Sequence, residues 1–242
     1  LSRGLGDVYK RQRKTCNPRQ CAKRPIPLAN FPTFARVSTH YTPYYTQRHL
    51  HMRRIFLIGY MGAGKTTLGK ALADLTGLSF LDLDLFIEGR YRKTIRQIFD
   101  EEGEDAFREI ERRALHEVAE FEDVILSTGG GTPCFFDNMT YMNSVGTTVY
   151  LQASPEALTE RISLCKHSRP AVRHLDGEAL AAFVRDALTR RTPFYERAHL
   201  TFDVERLATD NDTNDAAHRL QQLLYGKRGA PLNSSPTHSY LI

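Results

Sequence analysis

The sequence predicts an α/β fold in which a parallel β-sheet lies between two layers of helices. Short apolar segments alternate with longer amphipathic segments over residues 52–225, which is the pattern of repeated strand–helix–strand units. A glycine-rich loop separates the first apolar segment from the first amphipathic one. Because parallel strands are joined by crossovers, we expect helices on both faces and ligands at the carboxyl ends of the strands.

The first predicted elements form one strand–helix–strand unit. Residues 54–59 (RIFLIG) are apolar and end in glycine, as expected of a buried parallel strand. The helix that follows has four apolar side chains on one face and ends at Gly77. Residues 79–83 are predicted to form the second strand. The four apolar helix residues are Leu68, Ala71, Leu72 and Leu75.

The rest of the domain continues the same alternation. The next helix has an apolar stripe that includes Phe107, Ile110 and Val118. Ser154 and Pro155 are residue types preferred at the N-cap and the first position of a helix. In chain order, the remaining predicted elements are a helix over 95–121, strands over 123–127 and 147–151, a helix from Ser154, a helix over 177–191, a strand over 200–204 and a helix over 212–224.

The composition of residues 1–51 differs from that of the rest of the 242-residue chain. This segment contains 10 Lys or Arg and one acid, whereas residues 52–242 contain 23 Lys or Arg and 27 acids, so their net charges are +9 and −4. Five prolines and the lack of apolar periodicity predict that residues 1–51 form a disordered basic extension. Residues 226–242 are predicted to form a disordered C-terminal tail, which leaves residues 52–225 as one domain.

Three interpretations of residues 1–51 stay open: a nucleic-acid-binding arm, an organelle transit peptide, or non-native sequence ahead of the true start. We favour the last, because Met52 directly precedes the first predicted strand. The acidic domain predicts no nucleic-acid partner, and the lack of an apolar run of ~20 residues predicts no membrane partner. Four cysteines exclude a disulfide-rich scaffold. We expect a cytoplasmic protein, or a plastid one if residues 1–51 are a transit peptide.

The glycine-rich loop 59–66 (GYMGAGKT) matches the P-loop pattern G-x-x-x-x-G-K-[ST] between a strand and a helix. Its backbone N–H groups suit a polyphosphate, Lys65 would reach the β- and γ-phosphates, and the Thr66 hydroxyl would bind Mg²⁺. No N-K-x-D motif of a GTPase occurs, and the chain is too short for a motor or helicase, so the sequence favours a small-molecule or nucleotide kinase. The predicted ATP-binding residues of the loop are Gly62, Ala63, Gly64, Lys65, Thr66 and Thr67.

Two further motifs follow predicted strands. Asp82 and Asp84 end the second strand, and residues i and i+2 of an extended chain share a face, so both carboxylates are expected beside the P-loop. Capping of a following helix by Asp84 is the alternative. The triplet Gly129, Gly130 and Gly131 follows the third strand and allows a polar ligand to approach the backbone closely, although a plain flexible turn would also explain it.

Six motifs together resemble the shikimate kinase family over about residues 53–225. They are GYMGAGKTT, LDLD, Phe107-Arg108-x-x-Glu111, the glycine triplet, Arg169-Pro170 and Arg191-x-Pro193-x-Tyr195, in the family's order and spacing. The resemblance implies a three-layer P-loop kinase fold with a five-stranded parallel sheet of order 2-3-1-4-5 and a mobile lid. It also implies an enzyme that transfers the γ-phosphoryl of ATP to the 3-hydroxyl of shikimate with Mg²⁺, and that works as a monomer.

The resemblance also implies roles for individual residues. Asp84 would bind the ring hydroxyls and act as a base, and Asp82 would hold Mg²⁺ through water. Arg108 and Arg191 would bind the carboxylate, for which a planar guanidinium is well suited. An i,i+4 pair with Glu104 is the alternative role of Arg108. The glycine triplet would approach the substrate hydroxyls.

The predicted lid departs from the family's spacing. Arg169 would contact the ATP phosphates and stabilise charge during transfer. The arginine that usually stacks on adenine lies seven positions earlier, where this chain has Ile162, with Arg161 one residue away. Two alternative functions stay open, a gluconate kinase and a nucleic-acid-binding P-loop protein. Asp84, Arg108 and Arg191 disfavour the first, and the acidic domain disfavours the second.

Overall fold

The computed structural model describes residues 53–165 and 172–226. Strands and helices alternate through this part of the chain, as the sequence predicts. The strands are β1 (Arg54–Ile58), β2 (Ser79–Asp82), β3 (Val124–Ser127), β4 (Thr147–Gln152) and β5 (Leu200–Asp203). The helices are α1 (Lys65–Thr76), α2 (Leu83–Tyr91), α3 (Ile95–Val118), α4 (Asn138–Val145), α5 (Pro155–Cys165), α6 (Gly177–Tyr195) and α7 (Asp210–Tyr225).

All five strands pair in parallel in the order β2-β3-β1-β4-β5. This confirms the α/β class and the sheet order implied by the family resemblance. All four residues of β3 and four of the five in β1 are buried, because helices cover both faces of the sheet. The strand order changes direction at β1, with β2 and β3 on one side and β4 and β5 on the other. The predicted functional motifs begin at the carboxyl ends of the strands at this point.

Helix α1 lies unusually close to the sheet, which places the P-loop directly above the end of β1. A β-carbon on Gly69 would lie 2.5 Å from the ring of Phe80 and 3.0 Å from Leu57. Helix α7 also contacts α1. Helix α1 is therefore held both by the sheet and by the last helix of the described residues.

Several predicted boundaries are corrected by the structure. Helix α4 was not expected. Helix α2 was considered only as a helix capped by Asp84, and Leu83, predicted to end a strand, is instead its first residue. Helix α3 ends at Val118 and bends at Gly103, whose φ is 84°. Helix α6 continues past the predicted end at residue 191 to Tyr195. Ser154 caps α5 as predicted, since its Oγ accepts a hydrogen bond from the Ala157 N–H at 3.1 Å.

The predicted extension 1–51, the tail after Gly226 and the predicted lid residue Arg169 lie outside the described residues. Within the described ranges, no helix is both long enough and apolar enough to cross a bilayer.

Candidate active site

The P-loop bends through backbone conformations that glycine adopts most easily. Gly59, Gly62 and Gly64 have φ values of 139°, 81° and 85°. A β-carbon on Gly59 would also lie 2.7 Å from the carbonyl oxygen of Leu151. The Lys65 Nζ donates hydrogen bonds to the carbonyl oxygens of Gly59 and Tyr60, each at 2.9 Å. The ammonium group of Lys65 is therefore held against the P-loop, next to the predicted phosphate site.

A cavity of about 460 Å³ lies between the P-loop, the ends of β2 and β3, and the start of α7. Its walls include Lys65, Thr66, Asp82, Asp84 and Gly129, so it brings together three motifs that are far apart in the sequence. A larger cavity of about 690 Å³ lies between the ends of β4 and β5 and helix α6. None of the predicted site residues lines that second cavity. The first cavity, which is lined by the predicted phosphate-binding and carboxylate residues, is therefore the candidate active site.

Asp82 and Asp84 both line the cavity, but not as alternate residues of a strand. The strand ends at Asp82, whose Oδ1 accepts hydrogen bonds from the N–H groups of Asp84 (3.1 Å) and Leu85 (3.4 Å). Asp82, not Asp84, is thus the N-cap of α2. The expectation that an extended chain aligns the two carboxylates is wrong, because Asp84 lies in the first turn of the helix.

The other carboxylate oxygen of Asp82 contacts the P-loop helix. The Thr66 hydroxyl donates a hydrogen bond to Asp82 Oδ2 at 2.9 Å. These hard oxygen atoms, beside a loop shaped for phosphates, fit the ligand preference of Mg²⁺.

Asp84 has an unusual environment for a carboxylate. Burial, then the charges of Asp82 and Glu111, raise its pKa from 3.8 to about 6, although the charge of Lys65 opposes this shift. A carboxyl group with such a pKa can exchange a proton near neutral pH.

The glycine triplet lies at the centre of the predicted substrate site. A β-carbon on Gly129 would lie 3.1 Å from Asp84 Oδ1, one on Gly130 would lie 3.5 Å from Arg191 Nη1, and one on Gly131 would lie 2.9 Å from Arg108 Nη1. Each of the three successive glycines therefore faces a different predicted substrate-binding residue. The structure brings these residues together from α2, α6 and α3. A β-carbon on Gly129 would crowd Glu111 and Asp84, and one on Gly131 would crowd Arg108, whereas one on Gly130 would make an ordinary contact with Arg191.

Arg108 is 11% exposed and hydrogen-bonds to two carboxylates. Its Nε and Nη2 donate to Glu104 Oε1 at 3.3 and 3.0 Å, so the i,i+4 pair considered above is present. Its Nη1 donates to Glu111 Oε2 at 2.9 Å, and Glu111 is only 1% exposed. Glu111 also accepts a hydrogen bond from the Thr132 hydroxyl at 2.5 Å. Glu111 has no predicted role of its own in the sequence, although its i+3 spacing from Arg108 places both on one side of α3.

Arg191 approaches the site from helix α6. Its guanidinium lies over the ring of Tyr60, 5.5 Å from the centroid, and so contacts the P-loop segment. The Tyr195 hydroxyl donates to the Gly130 carbonyl oxygen at 2.5 Å, which ties α6 to the glycine triplet. Burial raises the pKa of Cys134 to about 11, while Arg191 and Arg108 both act to lower it. The thiol therefore lies within electrostatic reach of both arginines.

The structure distinguishes the two candidates for the nucleotide-base side of the cavity. Ile162 is fully buried beside Gly62, whereas Arg161 lines the cavity. Arg161 Nη2 donates to the carbonyl oxygens of Val204 and Glu205 at 2.7 and 2.8 Å, so its guanidinium is fixed in place. The same wall is completed by residues that the sequence analysis did not identify, namely Leu207, Ala208, Thr209, Asp210 and Thr213.

Comparison with known proteins gives a consistent result. The family model described as shikimate kinase matches residues 61–223. A shikimate kinase of Parabacteroides distasonis is 60% identical over 173 residues, which is 72% of this chain and 100% of that protein. A shikimate kinase of Phocaeicola vulgatus is 53% identical over 173 residues, covering 72% of this chain and 99% of the relative.

Solved structures agree with these relatives. A crystal structure of shikimate kinase from Bacteroides thetaiotaomicron has a TM-score of 0.69 and 49% identity, and the match covers 71% of this chain and 98% of that one. A structure of shikimate kinase from Acinetobacter baumannii in complex with shikimate has a TM-score of 0.65 and 36% identity, with coverages of 74% and 96%.

Proposed function

The chain belongs to the shikimate kinase family, which transfers a phosphoryl group from ATP to the 3-hydroxyl of shikimate in the shikimate pathway, and we propose how its residues divide this task. The substrate has a carboxylate at one end and hydroxyls at the other. Arg108 and Arg191 bind the carboxylate, and Asp84 binds the hydroxyls. The observation that carries this proposal is the glycine triplet, whose three members face Asp84, Arg191 and Arg108 in turn.

Asp84 orients the attacking hydroxyl and accepts its proton. A pKa of about 6 supports this role, because the ionised group is available at neutral pH and is a stronger base than an ordinary aspartate. Glu111 keeps negative charge near Asp84 and holds Arg108 by a direct hydrogen bond. Glu111 thus acts on both the residue that binds the hydroxyls, Asp84, and a residue that binds the carboxylate, Arg108.

The P-loop binds the phosphates of ATP through backbone N–H groups and the N-terminus of α1. Lys65 leaves the carbonyl oxygens of Gly59 and Tyr60 to contact the β- and γ-phosphates. Thr66 and Asp82 would hold Mg²⁺, and the oxygen atoms of their hydrogen-bonded pair support this assignment. When bound, Mg²⁺ neutralises charge on the phosphate oxygens.

Arg161 contacts the nucleotide base from its fixed position beside β5, with Thr209 on the same wall. Arg169 belongs to the lid and contacts the transferring phosphate. Replacing Arg169 with alanine is expected to lower kcat far more than it weakens shikimate binding, since its contact strengthens in the transition state. An unchanged kcat with a raised KM for shikimate would remove Arg169 from this role.

The domain over residues 52–225 acts as a cytoplasmic monomer, and residues 1–51 are dispensable. A protein that begins at Met52 is expected to keep full activity and to elute as a monomer in size-exclusion chromatography. Loss of solubility or activity in that protein would contradict the proposal for residues 1–51.

Arg108→Lys tests the carboxylate assignment. Lysine keeps the charge but loses the planar fork, so shikimate binding should weaken by ~1.5–3 kcal/mol while ATP binding barely changes. Arg96→Lys is the matched control, because Arg96 lies on the same helix and pairs with Asp100 at the exposed surface. Separate titrations with shikimate and ATP would measure both affinities. Weaker ATP binding with unchanged shikimate binding would refute the assignment.

A further inference from the structure

The guanidinium of Arg108 is packed among aromatic rings, and one of them covers its face. Arg108 Cζ lies 3.9 Å from the centroid of the Phe135 ring, against 5.2 Å for Phe107 and 5.7 Å for Phe99. Phe107 is next to Arg108 in the chain, whereas Phe135 comes from a different segment, between the glycine triplet and α4. The Phe135 ring therefore gives Arg108 a contact that its own helix cannot provide.

The hydrogen bonds of Arg108 do not by themselves fix the tilt of its guanidinium plane. N–H groups of a guanidinium lie in its plane, so Glu104 and Glu111 hold the group along its edges. Glu104 is itself 56% exposed, so solvent screens its ion pair with Arg108. Two N–H donors must stay in one fixed plane to bind both oxygens of a carboxylate. The hydrogen bonds along the edges allow the guanidinium plane to tilt. The Phe135 ring, stacked on the face of the guanidinium, restrains that tilt.

The segment that contains Phe135 is tightly held. The Phe135 carbonyl oxygen accepts a hydrogen bond from the N–H of Asn138 at 3.3 Å, and the buried Asn138 side chain donates to the Thr132 carbonyl oxygen at 2.9 Å. Phe136 has a φ of 51°, a left-handed conformation that a phenylalanine rarely adopts, and its side chain is 53% exposed. The Phe135 ring lies on Arg108, whereas the Phe136 ring lies 5.2 Å from Arg112 Cζ, so the two neighbouring rings contact different arginines of α3.

We propose that Phe135 is a positioning residue for the acid substrate, because its ring sets the plane in which Arg108 presents two N–H groups to the carboxylate. This inference rests on the proposed role of Arg108. Phe135 acts through Arg108, so it matters for a substrate with a carboxylate and not for the same molecule without that charge. A residue that only stabilised the fold would affect both molecules alike.

The experiment compares shikimate with its neutral methyl ester, using kcat/KM from initial rates well below KM. Phe135→Leu should lower kcat/KM for shikimate about 3- to 30-fold, the range expected for loss of a partly buried cation–π contact, and change the value for the ester less than twofold. The KM for ATP should stay the same. Phe136→Asn is the control, because asparagine tolerates a positive φ and the Phe136 ring lies over Arg112 rather than Arg108.

A parallel Arg108→Lys arm separates the two ideas. If that variant keeps the parent's preference for shikimate over the ester, the proposed role of Arg108 is wrong. If Arg108→Lys loses the preference but Phe135→Leu keeps it, or Phe135→Leu weakens acid and ester equally, the inference about Phe135 is overturned. An equal loss of preference in Phe136→Asn would overturn it too, because the effect would then belong to the whole segment.

Discussion

The hydroxyl of Thr66 donates a hydrogen bond to the carboxylate of Asp82, with 2.9 Å between Oγ1 and Oδ2. This bond joins the first turn of α1 to the end of β2. The second oxygen of the same carboxylate caps α2 by accepting from the Asp84 N–H at 3.1 Å. Asp82 therefore connects the predicted phosphate-binding helix to the helix that presents Asp84, and its charge and its capping function can be tested separately.

Asp82→Asn should raise the Mg²⁺ concentration needed for half-maximal activity and leave the fold intact. Asparagine is a good N-cap but a weaker, uncharged ligand. Asp82→Ala is the paired variant, and it should in addition lower the free energy of unfolding by ~1 kcal/mol through loss of the cap. Activity measured against Mg²⁺ and unfolding in urea would give the two quantities. An unchanged Mg²⁺ requirement in both variants would contradict the assignment of Asp82.

Lys65→Ala should preserve the fold and lower kcat by ~10²–10³-fold, because a charge that neutralises the transferring phosphate is removed. Lys70→Ala removes the same charge from an exposed position one turn further along α1 and should keep the parental rate. Steady-state rates and circular dichroism of both variants would be compared. A Lys65→Ala protein with normal activity would rule out the P-loop assignment.

The raised pKa of Asp84 predicts the pH dependence of activity. Below about pH 6 the carboxyl group takes up a proton and cannot act as a base, so kcat/KM for shikimate should fall about tenfold per pH unit there. The measurement is kcat/KM from pH 5 to 8 at saturating ATP. A profile that stays flat down to pH 5 would contradict a proton-accepting role for Asp84.

Stability should change with pH in the opposite direction. Because the folded-state pKa is raised, the folded protein binds a proton that the unfolded chain releases between about pH 4 and 6, so stability is lost as pH rises through this range. Asp84→Asn should therefore stabilise the protein at pH 8, by at most about 3 kcal/mol, and much less at pH 4. Urea unfolding at both values tests this, and equal effects at pH 4 and pH 8 would refute it.

Gly131→Ala should weaken shikimate binding, because the new methyl group would lie 2.9 Å from Arg108 Nη1. The backbone of Gly131 has a φ of −91°, which alanine adopts readily, so the effect is one of space alone. We expect about a tenfold rise in the KM for shikimate. Gly89→Ala is the control, since no atom lies within 4 Å of its added methyl group and alanine should stabilise α2 by ~0.5–1 kcal/mol. A Gly131→Ala protein with the parental KM would show that Arg108 can move without loss.

The prediction of the central strands β1 and β3 succeeded because each is a short apolar run with a clear end. The start of helix α2 was misplaced because LDLD also fits an alternating strand, which leaves Asp84 as the candidate cap. Only the folded chain shows that the Asp82 side chain accepts from the N–H groups after it and starts the helix. Helix α4 was missed because its eight residues mix polar and apolar side chains, and its two buried methionines, Met139 and Met142, make a pattern too short to identify a helix. In both cases a side-chain hydrogen bond or local packing outweighed the pattern.

The sequence by itself determined the P-loop, because its glycines and Lys65 act through the backbone geometry of neighbouring residues. It also determined the family, since motifs in a defined order need no coordinates to be recognised. Only the tertiary structure decided that Arg161 rather than Ile162 faces the cavity, that Glu111 joins the site, and that Phe135 covers Arg108. These contacts join residues from separate elements, or depend on which way a helix is turned, and the spacing along one segment does not contain that information until the sheet and its helices are packed together.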